Sequence, residues 1–304
     1  MIDTQGNEYT IVPFPAMRRM AVDAGKLGRG RHIIHGLLEL DVTEARRTIR
    51  NHKSTTGEAL SFTAFIISCL AKAVEGHKEV QAILDWRVRL VIFEDVNVTT
   101  MIEIEGKAGK IVIPLLIQSA NRKSFRQIHS EIRAAQASPA KTGEHRFMKW
   151  FLLLPGFVRR LVYWFIARVF PQYTRNYMSS VIVTAVGMFG GGGGWGIPLP
   201  YFPLSVTLGG ISEKPGVVAG RIEIREFLCV TLSFDHDAID GAPAARFTKQ
   251  FRELVEGGYG LEEYLPTAPE NGLLKKNSLF DVSMQFLPSD IRDSQTFSKN
   301  SVLR

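Results

Sequence analysis

An α+β fold built on a mixed β-sheet is what this sequence predicts, and three observations carry it. Strand-like and helix-like stretches alternate irregularly, without the strict rhythm of a doubly wound parallel sheet. Two long strand-like runs, Leu204 to Gly209 and Arg221 to Phe234, lie close enough in sequence to pair as an antiparallel hairpin. A length of 304 residues at 45% hydrophobic content is enough for one large core without covalent staples.

Taken in order, Arg31 to Val42 reads as a strand, and Thr43 opens a helix from a capping position. Ser61 to Val74 is apolar all round and reads as a buried helix running to Gly76. Val88 to Phe93, Val96 to Ile104 and Lys110 to Ile117 read as strands, the middle one alternating at period two. Ser124 to Ala135 is helical, since Phe125, Ile128 and Ile132 recur at spacings of 3 and 4. Ser179 to Val186 is a β-branched strand that runs towards the glycines Gly190 to Gly194, which read as a flexible loop. Lys214 to Gly220, with its proline and glycines, reads as the turn between the two long strands. Ala242 to Val255 follows as a helix with Pro243 in its first turn, where a missing amide costs little. The expected organisation is one domain over residues 1–287, with a helical insertion at about 138–177 and a polar, mobile tail at 288–304.

Charge and cysteine content narrow the function. The formal net charge is +7, but Arg146, Lys149, Arg159, Arg160, Arg168 and Arg175 fall in one segment without an acid, so the rest of the chain is nearly neutral. Such clustering in an apolar stretch argues against nucleic acid and for an anionic surface or ligand. Cys69 and Cys229 both sit in apolar runs and read as core thiols of a reducing compartment. The acidic start of the chain is unlike a signal peptide, and the uncharged run Trp150 to Val158 is too short to span a bilayer. Cytoplasmic location is expected, with a place peripheral to the membrane as the alternative.

The chemistry is read from Ser233-Phe-Asp-His-Asp-Ala-Ile-Asp-Gly241. It sets His236 at a strand end, with the carboxylate of Asp240 four residues on. An imidazole, ordinarily titrating near ~6.5, is matched to a thiol near ~8.5 as a general base. The other histidines, His32, His35, His52, His77, His129 and His145, show no metal-ligand spacing with cysteines or acids, so no metal is expected. The glycine run does not precede a helix and lacks a following Gly-Lys-Ser, which sets aside a nucleotide loop.

The chain resembles the catalytic domain of the dihydrolipoamide acyltransferases of 2-oxoacid dehydrogenase complexes, which shares a two-layer fold with chloramphenicol acetyltransferase. Four ordered blocks carry the resemblance: Phe14-Pro-Ala-Met-Arg-Arg-Met-Ala; Phe93-Glu-Asp-Val-Asn-Val with Ile111-Val-Ile-Pro-Leu-Leu-Ile-Gln-Ser-Ala-Asn-Arg-Lys-Ser; Val183-Thr-Ala-Val-Gly-Met-Phe-Gly; and the His236 to Gly241 signature. The resemblance implies a coenzyme A-dependent acyltransferase. His236 takes the proton of a thiol or other nucleophile, which then attacks an acyl-thioester. Thr184 stands where the family has a serine that donates to the oxyanion, and Asp240 and Gly241 support the histidine loop, with Arg18 or Arg19 as the partner of Asp240. It also implies a homotrimer with each site between subunits, so that His236 and Thr184 meet across an interface. Coenzyme A enters as the acyl-CoA substrate, and Arg122, Lys123 and Arg126 are candidates for its phosphates.

Three features depart from the family. No lipoyl attachment site or subunit-binding domain is found in this sequence. Asp237 stands where a basic residue is common. The insertion replaces a short connection, and its second helix sets Arg160, Trp164 and Arg168 on one stripe opposite a broad apolar face. That helix is expected to meet a neighbouring subunit, a membrane surface through its arginines, or the substrate as a lid. A non-catalytic trimeric scaffold is the alternative function. The condensation domains of peptide synthetases share the His-x-x-x-Asp-Gly theme but commonly have a second histidine where Asp235 stands here.

Overall fold

The computed structural model of the protein describes residues 10–14, 18–106, 109–137, 151, 153–170, 179–187 and 192–265. Most of the first piece of the insertion, the insertion's last residues 171–177 and the 288–304 tail lie outside these residues. One six-stranded sheet organises the rest. Its strands are β1 (Ile33–Asp41), β4 (Val98–Gly106), β5 (Gly109–Ile117), β6 (Val181–Ala185), β7 (Leu204–Val218) and β8 (Arg221–Asp235), in the spatial order β1-β8-β7-β6-β4-β5. β6 runs parallel to both β4 and β7 while the other pairs are antiparallel, so the sheet is mixed. A separate two-stranded piece joins β2 (Ile83–Leu84) to β3 (Leu90–Val91). The Val88 to Phe93 strand expected from sequence shrinks to these two residues, because Val88 itself turns with a φ of 60°.

Alternation along the strands decides which face is covered. Val98, Val181, Leu204, Phe234 and Ile34 form one paired row, and Thr100, Val183, Val206 and Leu232 the next. These rows meet the helices α2 (Thr43–Thr56), α3 (Phe62–Gly76), α4 (Phe125–Ala137) and the C-terminal helix Gly241–Glu256. α3 lies in the middle of that layer, which is why Phe65, Ile66, Ile67 and Leu70 are buried on all sides. Ser61 caps it, its hydroxyl accepting from the Ala64 amide at 3.2 Å. Thr43 is not the cap of α2 but its first residue. Its amide and hydroxyl both donate to the Asp41 carboxylate, at 3.0 and 2.6 Å, which seats the helix start on the end of β1.

The hairpin is longer than expected. Lys214 to Val218 continue β7 despite Pro215 and Gly216, and the turn is only Ala219-Gly220, with φ angles of 48° and 79°. Two successive positive φ values match the twist of the strands on either side, the geometry of a tight two-residue turn.

Two more helices precede and follow this framework: α1 (Arg18–Gly28) and, in the insertion, α5 (Gly156–Val169), which makes the C-terminal helix α6. α5 packs on α1 through a buried ion pair, Arg159 Nε donating to Asp23 at 2.7 Å with Arg160 adding a bond at 3.2 Å. Arg168 donates to the carbonyls of Leu84 and Asp85 beside the β2–β3 piece. The arginines expected to face an anionic surface therefore point into the protein.

Candidate active site

The last strand delivers the histidine. β8 ends at Asp235, whose amide donates to Pro203 and whose carbonyl accepts from Ala238 and Ile239, closing a turn that buries Ile239 in the core. The Asp235 carboxylate binds Arg31 at 2.9 Å and accepts the Asp237 amide at 3.2 Å. His236 is exposed at the tip, and its amide donates to the carbonyl of His32 at 2.7 Å. The ring of His32 meets the Asp237 carboxylate at 2.8 Å, and that hydrogen bond, with the attendant charge attraction, raises the pKa of His32. The carboxylate that departs from the family pattern is thus engaged by a second histidine.

Asp240 occupies the N-cap position of α6 with extended backbone, and its carbonyl accepts from Ala244, but its side chain caps nothing and is exposed. Among the described residues, no hydrogen bond or ion pair joins it to Arg18 or Arg19, both of which are exposed on α1. The expected pairing assumed a buried carboxylate, and in a single chain Asp240 is not buried. A Cβ at Gly241 would meet nothing within 4 Å, so the fold of one chain sets no steric demand there.

Thr184 lies elsewhere. It pairs with Thr207 on β7, which pairs with Thr231 on β8. Thr231 is five residues before His236 along β8, roughly 17 Å at ~3.4 Å per residue, and Thr184 is two strands further across the sheet. One chain therefore holds the two groups far apart. The Thr184 hydroxyl bonds the Thr207 hydroxyl at 3.2 Å, and the Thr231 Oγ1 beyond it is buried with no hydrogen-bond partner.

These threonines belong to the sheet face turned away from the helices. Ser205 and Ser233 share it, with Ser233 bonded to His35 at 2.8 Å. The signal for them was present in the sequence as hydroxyls alternating with apolar residues in Leu204-Ser-Val-Thr-Leu and Val230-Thr-Leu-Ser-Phe. A strap over residues 192–203 covers this face. Its Trp195 donates to the carbonyl of Leu38 at 3.0 Å, and the amide of Gly210 donates to Gly194 at 2.9 Å across a β-bulge. A Cβ on Gly210 would lie 1.9 Å from the Gly192 oxygen, so backbone stacks directly on backbone there. The described end of the glycine run is a packed strap and not the flexible loop expected.

Two other sites carry less chemistry. Arg122, Lys123 and Arg126 are each neutralised, by Asp95, Glu131 and Glu58 at 2.6 Å, which weakens the case for a phosphate site. A surface depression lined by Glu58, Ala59, His129, Ser130 and Arg133 touches neither His236 nor Thr184. Among the described residues no cluster of three His, Cys, Asp or Glu side chains is placed to hold a metal.

Comparison with known proteins settles the family. The model of the 2-oxoacid dehydrogenases acyltransferase (catalytic domain) family matches residues 31–147 and 177–261, well over half of the chain. The chain belongs to this family. The match skips the stretch that contains α5, so the acyltransferase framework is continuous on both sides of the insertion. Among curated relatives, the dihydrolipoyllysine-residue acetyltransferase component of the pyruvate dehydrogenase complex of Zymomonas mobilis is 24% identical over 264 residues, 85% of this chain and 52% of that protein. The human dihydrolipoyllysine-residue succinyltransferase component of the mitochondrial 2-oxoglutarate dehydrogenase complex is 36% identical over 64 residues, 20% of this chain and 14% of that protein. The chain thus spans about half or less of these relatives. Among solved structures, the cubic core of the pyruvate dehydrogenase multienzyme complex superposes with a TM-score of 0.63 at 17% identity, covering 85% of this chain and 96% of that one. The Azotobacter vinelandii dihydrolipoamide acetyltransferase gives 0.62 at 19% identity, with 85% and 96% covered. The acyltransferase-core fold and the α+β class with its mixed sheet are therefore shared.

Proposed function

We propose that this acyltransferase-family chain moves an acyl group between coenzyme A and a thiol or other nucleophile, using His236 of one subunit and Thr184 of another. A ring nitrogen of His236 removes the proton of the attacking thiol. The thiolate forms a bond to the thioester carbonyl carbon, and the oxyanion accepts a hydrogen bond from Thr184. Collapse breaks the old carbon–sulfur bond, and the departing thiolate takes the proton back from the imidazolium. The observation that carries this reading is the register. It holds His236 and the Thr184 hydroxyl two strands apart across the sheet and offset along it within one chain, while leaving His236 exposed and its backbone pinned. A site between the subunits of a homotrimer reconciles both. The Azotobacter vinelandii enzyme supports the choice of residues, since the study of its structure concerns the catalytic roles of a serine, a histidine and an asparagine four positions after that histidine, the spacing of His236 and Asp240.

The test is subunit complementation with acyl-CoA donors, following release of free thiol. His236→Ala is expected to lose on the order of a hundredfold to ten-thousandfold in rate, and Thr184→Ala on the order of a hundredfold. Co-expressed, the two variants should regain activity, because random assembly restores about a quarter of the sites. Mixed assemblies no more active than their parents would place both residues in one subunit's site or in none.

A further inference from the structure

We propose that α5 and the tip of the β2–β3 hairpin form one surface that seats in the headgroup boundary of an anionic lipid bilayer. The reading goes beyond acyl transfer and does not depend on it. Phe157, Leu161, Trp164 and Phe165 recur at helical spacing on α5, and each is at least 48% exposed. A contiguous aromatic and aliphatic face of this kind marks an interaction surface on a soluble protein. Arg160 and Arg168 flank Trp164 on its stripe, but the α5 guanidiniums turn inward: Arg159 is buried on Asp23, Arg160 leans on the same carboxylate, and Arg168 binds backbone carbonyls.

The hairpin adds the polar edge. The amide of Trp86 donates to the carbonyl of Arg168 at the end of α5, at 3.1 Å, so the two pieces are joined. Trp86 and Val88 are exposed, Arg87 stacks over the Trp86 ring at 4.6 Å, and Arg89 is held by the buried Asp85 with its outer part in solvent. A tryptophan flanked by cations beside a helix with an exposed apolar face is the composition of an interfacial anchor. The charge pattern selects the occupant. From Arg146 to Met178 the sequence has six basic residues and no acid; three lie on α5 and bind within the protein, and Arg146, Lys149 and Arg175, which flank it in sequence, supply charge complementary to anionic headgroups. Among the described residues no helix is long and apolar enough to cross a membrane, so α5 lies in the interface and does not span.

The experiment mixes the purified full-length protein with vesicles of phosphatidylglycerol and phosphatidylcholine. It measures co-sedimentation and tryptophan emission. Wild type should sediment with the vesicles and its emission should shift to the blue, with the shift reduced in Trp164→Phe. Leu161→Glu with Phe165→Glu should weaken partition on the order of a hundredfold, while circular dichroism shows an unchanged fold. The proposal is overturned by wild type that stays in the supernatant, or by a double variant that partitions unchanged. It is also overturned if the double variant lowers the mass of the assembly in native mass spectrometry, because the face would then lie between copies of the chain.

Discussion

At the scale of single residues, the histidine loop is held by two acid–base contacts, His32 with Asp237 and Arg31 with Asp235. The Asp237 carboxylate raises the proton affinity of His32, so their attraction is complete below His32's ordinary value of 6.5 and is lost as pH rises through the raised one. An NMR titration should find His32 above 6.5 in the wild type and lower in Asp237→Asn; equal midpoints in the two proteins would show that the contact does not form in solution. The Arg31–Asp235 pair is more enclosed. Asp235→Ala removes an ion pair and the acceptor of the Asp237 amide together, and should cost about 1–3 kcal/mol in chemical denaturation. On the other sheet face, Thr207→Val deletes the partner of the Thr184 hydroxyl. The expected effect is a fall in kcat with KM nearly unchanged, since the hydroxyl stays present but loses its orientation.

At the scale of elements, the structure separates glycines the fold needs from one it does not. Gly210→Ala drives a Cβ to 1.9 Å from the Gly192 oxygen and should destabilise by more than about 2 kcal/mol, loosening the strap that covers the threonines. Gly241→Ala meets open space, so a loss of activity there without a fall in Tm would locate its role between subunits. The α1–α5 junction makes an equally sharp prediction. Asp23→Asn leaves Arg159 buried without its counter-charge and should cost about 3–5 kcal/mol by thermal unfolding. Most elements were legible from periodicity: β1, α3, β4, β5, α4 and α6 form within a few residues of where the apolar pattern puts them. The misreadings have local causes. Pro215 and Gly216 resemble a turn, yet they sit in the outer part of the hairpin, where several side chains face solvent and sheet pairing tolerates them. The arginines of α5 look like a solvated stripe because a helix read alone does not reveal that Asp23, more than a hundred residues earlier, lies opposite.

At the scale of the whole molecule, the blocks around Thr184 and His236 were readable as sequence, and the distance between them was not, because register is a property of pairing and not of spacing. Under the proposed mechanism, that distance makes assembly part of the chemistry. Activity should fall on dilution in step with loss of the trimer in native mass spectrometry, and a monomer that retains full turnover would remove the shared site. The clamp between α5 and α1 has a consequence of its own. α1 ends at Gly28, whose carbonyl accepts from the Arg31 amide at 3.1 Å, and Arg31 in turn grips the carboxylate beside His236. A load applied to the outer helix therefore has a short, stiff route to the loop that carries His236, and the helix is a handle as well as a contact.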